Sequence, residues 1–272
     1  LTPCQAILKT TALDIDQWLL CAAVALSIIA VTEIRKAFLR KTVGPVRLRS
    51  GAVRRRAETG HERSWRGLAE VLGEPRTRLG LGIGGLLGTA IAVRPDRVGP
   101  REARVFLAVN GLPDALYPAA WVVMQAGAFG AVPAASASAW LTGDRVLAGR
   151  LLAGGTAAWA LSKLVKQAVR RPRPTVLLPA TRGRGPDAAG LGYLSGHAAV
   201  AIALGAAALP RLGPAGRGLA LSVIPLVGLT RIYVGAHLPL DVAGGAALGL
   251  VVEATAGLLL DGRSARSKHG YT

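Results

Sequence analysis

Three short stretches of this chain carry groups able to handle an anion. In "KQAVRRPRP", Lys166 is followed after six residues by Arg173 and Pro174. In "YLSGHA", Ser195, Gly196 and His197 stand in succession. In "TRIYVGAHLPLD", Arg231 is followed after five residues by His237, and after three more by Asp241. Lys166, Arg173 and Arg231 supply positive charge, and the two arginines can grip phosphate oxygens bidentately. Ser195 and Gly196 fall where a helix is expected to begin, so free backbone N–H groups and the helix dipole favour an anion there. Gly196 lets the backbone come close. Of His197 and His237, one can attack phosphorus while the other protonates the leaving oxygen. Asp241 can bond the far ring nitrogen of His237, fixing its tautomer and stabilising the imidazolium. Taken singly, each group has a plain structural reading: Lys166 a helix-end lysine, Ser195 or Asp241 an N-cap, His237 a packed histidine. Their joint order favours a phosphate site.

The elements that must position these groups are membrane helices. Of 272 residues, 51% are hydrophobic, and mean hydropathy is +0.40. Against 15 Asp and Glu stand 33 Lys and Arg, a formal net charge of +18. An apolar yet basic chain fits membrane helices with Arg-rich cytoplasmic loops. Nucleic-acid binding is disfavoured, because aromatics are only 4% and lie mostly inside apolar runs. Cys4 and Cys21 form no metal-ligand spacing or disulfide framework. The chain begins with Leu and shows no signal-peptide pattern, so it reads as a piece of a longer one.

A spanning helix needs about 20 apolar residues. Candidate spans are 17–34, 79–93, 118–141, 146–166, 196–212, 214–233 and 239–260, with an interfacial helix around "REARVFLAVNGLP". The organisation expected is an N-terminal membrane helix (1–41), a basic cytoplasmic linker (42–78), a membrane domain (79–260) and a basic tail (261–272). The stretch 35–78 holds thirteen Lys and Arg against four Glu, including "RRR" at 54–56, and is placed in the cytoplasm. The loop 166–192 then falls on the outer face. There it breaks the charge rule with Lys166, Arg170, Arg171, Arg173, Arg182 and Arg184, as if an anionic ligand held it. Arg170, Arg171, Arg182 and Arg184 match no motif and read as headgroup or supporting charges. His61 and His269 read as solvated, Trp121, Trp140 and Trp159 as packing or interface anchors, and Tyr193 and Tyr233 as packing beside the site.

The three stretches resemble the type 2 phosphatidic acid phosphatase superfamily, which carries K-x6-R-P, P-S-G-H and S-R-x5-H-x3-D. Here Leu194 stands in place of Pro and Thr230 in place of Ser; neither change removes a charged or catalytic group. The resemblance covers about residues 79–260 and implies an all-α, six-helix membrane bundle. It also implies His237 as nucleophile through a phosphohistidine, oriented by Asp241. His197 would be acid and then base, and Lys166, Arg173, Ser195, Gly196 and Arg231 would hold phosphate. It implies no metal and no cofactor. The expected substrate is a phospholipid or polyprenyl phosphate, such as a polyprenyl diphosphate or a phosphatidic acid-type lipid, met at the outer face of a bacterial plasma membrane.

Residues 8–41 resemble the last membrane helix of P-type cation-transporting ATPases, through "ALDIDQWL" and "EIRK". The D-K-T-G phosphorylation motif is absent from the sequence, so pump activity is not implied. Two alternatives stand beside the hydrolase: a lipid phosphotransferase using the same phosphohistidine, and a non-enzymatic membrane module fused to a pump.

Overall fold

The structure is a computed structural model; it describes residues 74–186 and 189–269, with side chains described through 259. The resemblance of residues 8–41 to a pump helix therefore lies outside the described residues. All regular structure among the described residues is helical. The main helices are α1 (Pro75–Ala92), α2 (Pro100–Asn110), α3 (Tyr117–Gln125), α4 (Ala131–Leu141), α5 (Arg145–Val169), a single turn α6 (Pro174–Leu177), α7 (Gly196–Ala208), α8 (Pro214–Tyr233) and α9 (Pro239–His269).

Proline opens several of them at the first positions, where its missing N–H costs nothing. Asp144 caps α5 by accepting from Leu147 N at 2.9 Å. The same helix ends on Arg170 in the left-handed region, φ 54° and ψ 29°. That reversal leaves Arg170 exposed and sends Arg171 inward. α1 starts at Pro75, so the last residues of the stretch read as linker are helical. Likewise α9 continues to His269, through most of the segment expected as a tail.

The expected span 118–141 is two helices, α3 and α4, broken at 126–130. The reason is a close approach. A Cβ on Gly127 would lie 2.5 Å from the carbonyl oxygen of His197, so only glycine lets this turn rest on the start of α7.

α5, α7 and α9 form the centre; α1 packs on α9, α4 on α5, and α8 on both α3 and α7. Contact between α7 and α9 is nearly backbone to backbone: a Cβ on Gly249 would stand 2.5 Å from Ala199 O. The core beneath the functional end contains Tyr193, Leu194, Ala158, Ala199, Ala203 and Leu248. Outside, large apolar side chains stand exposed on each of α1, α5, α8 and α9, with Ile91 at 84% and Leu164 at 65%. α8 and the Pro239–Leu259 part of α9 are long and apolar enough to cross a membrane. The fold is a helical bundle whose apolar outer surface suits lipid.

Candidate functional site

Five chain segments meet at one end of the bundle: the turn between α3 and α4, the end of α5 with the loop after it, the start of α7, the end of α8, and the loop into α9. They enclose a cavity of about 140 Å³. Lys166, Arg173, Gly196, His197, Arg231 and His237 all line it.

His237 sits in the five-residue loop between α8 and α9 and is 2% exposed. Arg173 Nη1 lies 3.0 Å from His237 Nε2. A guanidinium only donates, so Nε2 must carry its lone pair, and the ring proton resides on Nδ1. Nδ1 faces Asp241 Oδ2 at 3.7 Å, too long for a hydrogen bond, and is otherwise unpartnered. The ring thus presents a basic Nε2 to the cavity and an N–H to a carboxylate. Burial, reinforced by Lys166, Arg173 and Arg231, holds its pKa well below the usual imidazole value. A lowered value favours the neutral ring.

Asp241, in the first turn of α9, lies behind the histidine and is fully buried. Its Oδ2 accepts from Leu238 N at 2.9 Å. Its Oδ1 accepts from Arg171 Nη1 at 2.8 Å. Arg171, also fully buried, bonds Glu102 with both terminal nitrogens, at 3.0 and 2.7 Å. Glu102 also accepts from Leu240 N at 3.1 Å. The series Glu102, Arg171, Asp241 and His237 brings α2, the loop after α5 and the start of α9 together behind the His237 ring.

The cations of the cavity are held differently. Lys166 Nζ donates to the carbonyls of Leu191 and Gly192 at 3.1 and 2.9 Å. Arg173 donates to Ala236 O at 2.6 Å and to Ala189 O at 3.3 Å. Arg231 donates to Met124 Sδ at 3.0 Å, a weak acceptor. Among the described residues none of these three meets a carboxylate. Three cations converging without counter-charge make a site for an anion. No cluster of three or more His, Cys, Asp and Glu side chains that could hold a metal occurs among the described residues.

Two predicted residues stand apart from the cavity wall. Ser195 is fully buried and caps α7, accepting from Ala198 N at 3.4 Å, while its own N–H donates to Asp241 O at 2.8 Å. Asp241 acts from behind His237.

Residues 147–261 match the PAP2 superfamily. This part of the chain is similar to that family. The decaprenylphosphoryl-5-phosphoribose phosphatase of Mycobacterium tuberculosis, in strains CDC 1551/Oshkosh and ATCC 25618/H37Rv, is similar to it. Identity is 38% over 109 residues, which is 40% of this chain. The match spans 56%, little over half, of those relatives' length. Two crystal structures are also similar. Aquifex aeolicus LpxE is 19% identical, with TM-score 0.49, over 57% of this chain and 93% of that one. The first transmembrane PAP2-type phosphatidylglycerolphosphate phosphatase from Bacillus subtilis is 20% identical, with TM-score 0.49, over 67% and 96%. None of these matches bears on residues 8–41 as a pump helix.

Around the PAP2 motifs the structure adds residues that their sequence positions do not single out. From sequence Arg171 reads only as an extra charge; its signal is the doubled arginine before Pro172. Glu102 lies outside the family match and reads from sequence as an ordinary acid in the first turn of α2. Gly127, Phe129, Trp159, Ser162 and Lys163 line the cavity as well, so Trp159 is more than a packing anchor. Tyr193 and Tyr233 do serve packing, bonding Thr89 Oγ1 at 3.0 Å and Pro113 O at 2.8 Å. Arg184 staples the outer loops by donating to Asn110 O, Leu112 O and Tyr233 O and pairing with Asp114.

Proposed function

We propose that this protein is an integral membrane lipid phosphatase that works through a phosphohistidine on His237. The observation that carries the reading is His237 Nε2, its lone pair aimed into a cavity where Lys166, Arg173 and Arg231 lack a counter-charge. Two features of the comparisons support it: the family match over the motif-bearing helices, and relatives that act on a lipid-linked phosphate.

In this mechanism the phosphate of the substrate displaces the contact between Arg173 and His237. Lys166, Arg173 and Arg231 hold its non-bridging oxygens, together with N–H groups at the start of α7. Nε2 attacks phosphorus, the P–O bond to the leaving group breaks, and His197 protonates the departing oxygen. His237 becomes cationic as the P–N bond forms, and Asp241 stabilises that charge through Nδ1–H. His197 then takes a proton from water, whose oxygen attacks phosphorus. The P–N bond breaks, and phosphate and neutral His237 are restored. These residues account for every proton and electron pair moved. The helical bundle lets the lipid tail remain in the bilayer while its headgroup reaches the cavity, on the extracytoplasmic side in this reading. Substrates are a polyprenyl diphosphate or a phosphatidic acid-type lipid.

The deciding experiment is phosphate release by the detergent-purified chain with EDTA present. The panel is phosphatidic acid, phosphatidylglycerol phosphate and a polyprenyl diphosphate, with His237→Ala alongside. Metal-independent release lost by at least about a thousandfold in the variant is expected, as for removal of a covalent nucleophile. Release unchanged in His237→Ala, or none from any lipid, would overturn the reading.

A further inference from the structure

Glu102 is a nearly buried acid on a helix outside the three motifs and outside residues 147–261. Its neighbours Arg101 and Arg104 are exposed, whereas its own side chain is 8% exposed. Burying a carboxylate is costly unless it is paired and hydrogen-bonded. Glu102 is both. Its Oε1 accepts from Arg171 Nη1 at 3.0 Å and from Leu240 N at 3.1 Å, and its Oε2 accepts from Arg171 Nη2 at 2.7 Å. The grip on Arg171 is bidentate, so it fixes the plane of the guanidinium. The second hydrogen of Nη1 then points to Asp241 Oδ1, 2.8 Å away. Leu238 N holds the other oxygen, Oδ2, which is the one that faces His237 Nδ1. The carboxyl of Asp241 is thus held from both sides, on one of them by Glu102 through Arg171.

Charge matters here as well as geometry. Arg171 and Asp241 alone would cancel, and an imidazolium formed at His237 would face a neutral pair. Glu102 places a second carboxylate on the same guanidinium, so the three groups together keep one negative charge. The other titratable groups that face His237 are Lys166 on α5, Arg173 in the loop after it, His197 on α7 and Arg231 on α8, all of them cationic or neutral. Charges in so buried a setting are screened little by salt. The negative charge behind the ring therefore depends on Glu102.

We propose that Glu102 is a positioning residue for the reaction: by occupying Arg171 it keeps Asp241 oriented and leaves its charge available to His237. This rests on the phosphatase reading above and adds to it a residue that does not line the cavity.

Kinetics, calorimetry and thermal melts on the detergent-purified full chain compare wild type, Glu102→Gln and Glu102→Asp. The substrate is whichever lipid of the panel above wild type hydrolyses fastest. The binding probe is methylenediphosphonate, which offers phosphonate oxygens to the cradle and has no ester to cleave. Glu102→Gln is nearly isosteric but uncharged. Its kcat should fall by about tenfold, and the acid limb of its kcat/KM should move down by about one pH unit, as one pK unit less interaction with the charge on His237 requires. The sign follows from losing an anion, which makes protonation of the ring less favourable. Affinity for methylenediphosphonate should stay within about twofold, because Lys166, Arg173 and Arg231 are untouched. Glu102→Asp keeps the charge on a side chain one methylene shorter; its limb should stay in place while kcat falls less than in Glu102→Gln. A purely structural role would lower the melting temperature of Glu102→Gln and leave the limb where it is. That result, or an unchanged kcat, overturns the proposal. If Glu102→Gln does not fold, Glu102→Asp decides: lowered kcat with binding and melt retained supports positioning, and unchanged kcat overturns it. If wild type releases phosphate from no lipid, the phosphatase reading fails and this inference falls with it. An active wild type indifferent to Glu102 sinks the inference alone.

Discussion

At the scale of single residues, the site depends on keeping His237 neutral and aimed. Burial comes first in depressing its basicity, and Lys166, Arg173 and Arg231 add to it. Because the folded value is lowered, the free enzyme keeps Nε2 unprotonated below the ordinary histidine pKa of about 6.5. The acid limb of kcat/KM assigned to His237 should therefore lie under pH ~6.5. Arg173→Gln, though slower, should move the limb upward, because one cation repelling the proton is gone. A pH–rate series on both proteins checks this; a limb that stays fixed would remove Arg173 from the electrostatics of His237. The same sign gives stability: as pH falls through ~6.5 the unfolded chain takes up this proton before the folded one, so folding weakens. Arg171 works one step further back. Arg171→Gln leaves Glu102 and Asp241 buried without their shared cation, and loss of one partner of such a cluster costs about 3–5 kcal/mol. Arg171→Lys keeps the charge but not the fork, so kcat should fall by about tenfold or more while methylenediphosphonate binding is kept. Melting curves and single-turnover rates on the two variants separate stability from positioning.

At the scale of elements, α7 and α9 lie so close that side chains scarcely intervene. A Cβ on Gly249 would meet Ala199 O at 2.5 Å and Ile202 Cβ at 2.8 Å. Gly249→Val should destabilise by about 1–3 kcal/mol through overpacking, and more where the backbone must shift. It should also slow catalysis, because α7 carries Gly196 and His197 at its start while α9 carries Asp241. A thermal melt with kcat on the same preparation tests the link; a stability loss with unchanged kcat would show that the two helices do not hold the site in register. The helices themselves are legible in the sequence. Apolar runs bounded by Pro75, Pro214 and Pro239 give α1, α8 and the start of α9 within a few residues, while the end of α9 runs nine residues past the expected 260. The three motifs announce themselves because charged groups and histidines in an apolar chain have no cheaper place to be. What is not legible depends on contacts far apart in the chain. Glu102 reaches Leu240 N and, through Arg171, Asp241 from the far end of the domain, and no local pattern marks it. Nor does any spacing rule reveal that the turn at 126–130 presses on His197, or that Phe129 meets Trp159. Ser195 is legible in its plain sense: read from sequence as an N-cap, it caps α7 in the fold.

At the scale of the whole molecule, charge is sorted between two ends. The end holding the cavity carries Lys166, Arg171, Arg173 and Arg231. The opposite end buries Glu253 between Arg78 and Arg150, at 2.9 and 2.6 Å, which ties α1, α5 and α9 together. Arg211 pairs with Asp144 at that same end, across the turns that precede α5 and α8. The loop around Arg211 and Arg217 is basic and suits the cytoplasm, whereas under the proposed function the cavity loop is basic because it holds an anionic substrate. On this sorting of charge we propose that the cavity faces the extracytoplasmic side. The placement is testable with single cysteines in a chain whose own Cys4 and Cys21 are replaced by Ser. Gly183→Cys lies in the exposed loop at the cavity end, and Gly213→Cys in the exposed turn at the other. A Cβ at either glycine would meet nothing within 4 Å beyond its chain neighbours, so both should accept the change without repacking. In intact cells a membrane-impermeant maleimide should label Gly183→Cys and leave Gly213→Cys unlabelled until the membrane is opened. The reverse pattern would turn the bundle over and put hydrolysis on the cytoplasmic face. It would also leave the positive charges of 166–184 explained by topology alone, taking away one argument for an anionic ligand while leaving the geometry around His237 as it stands.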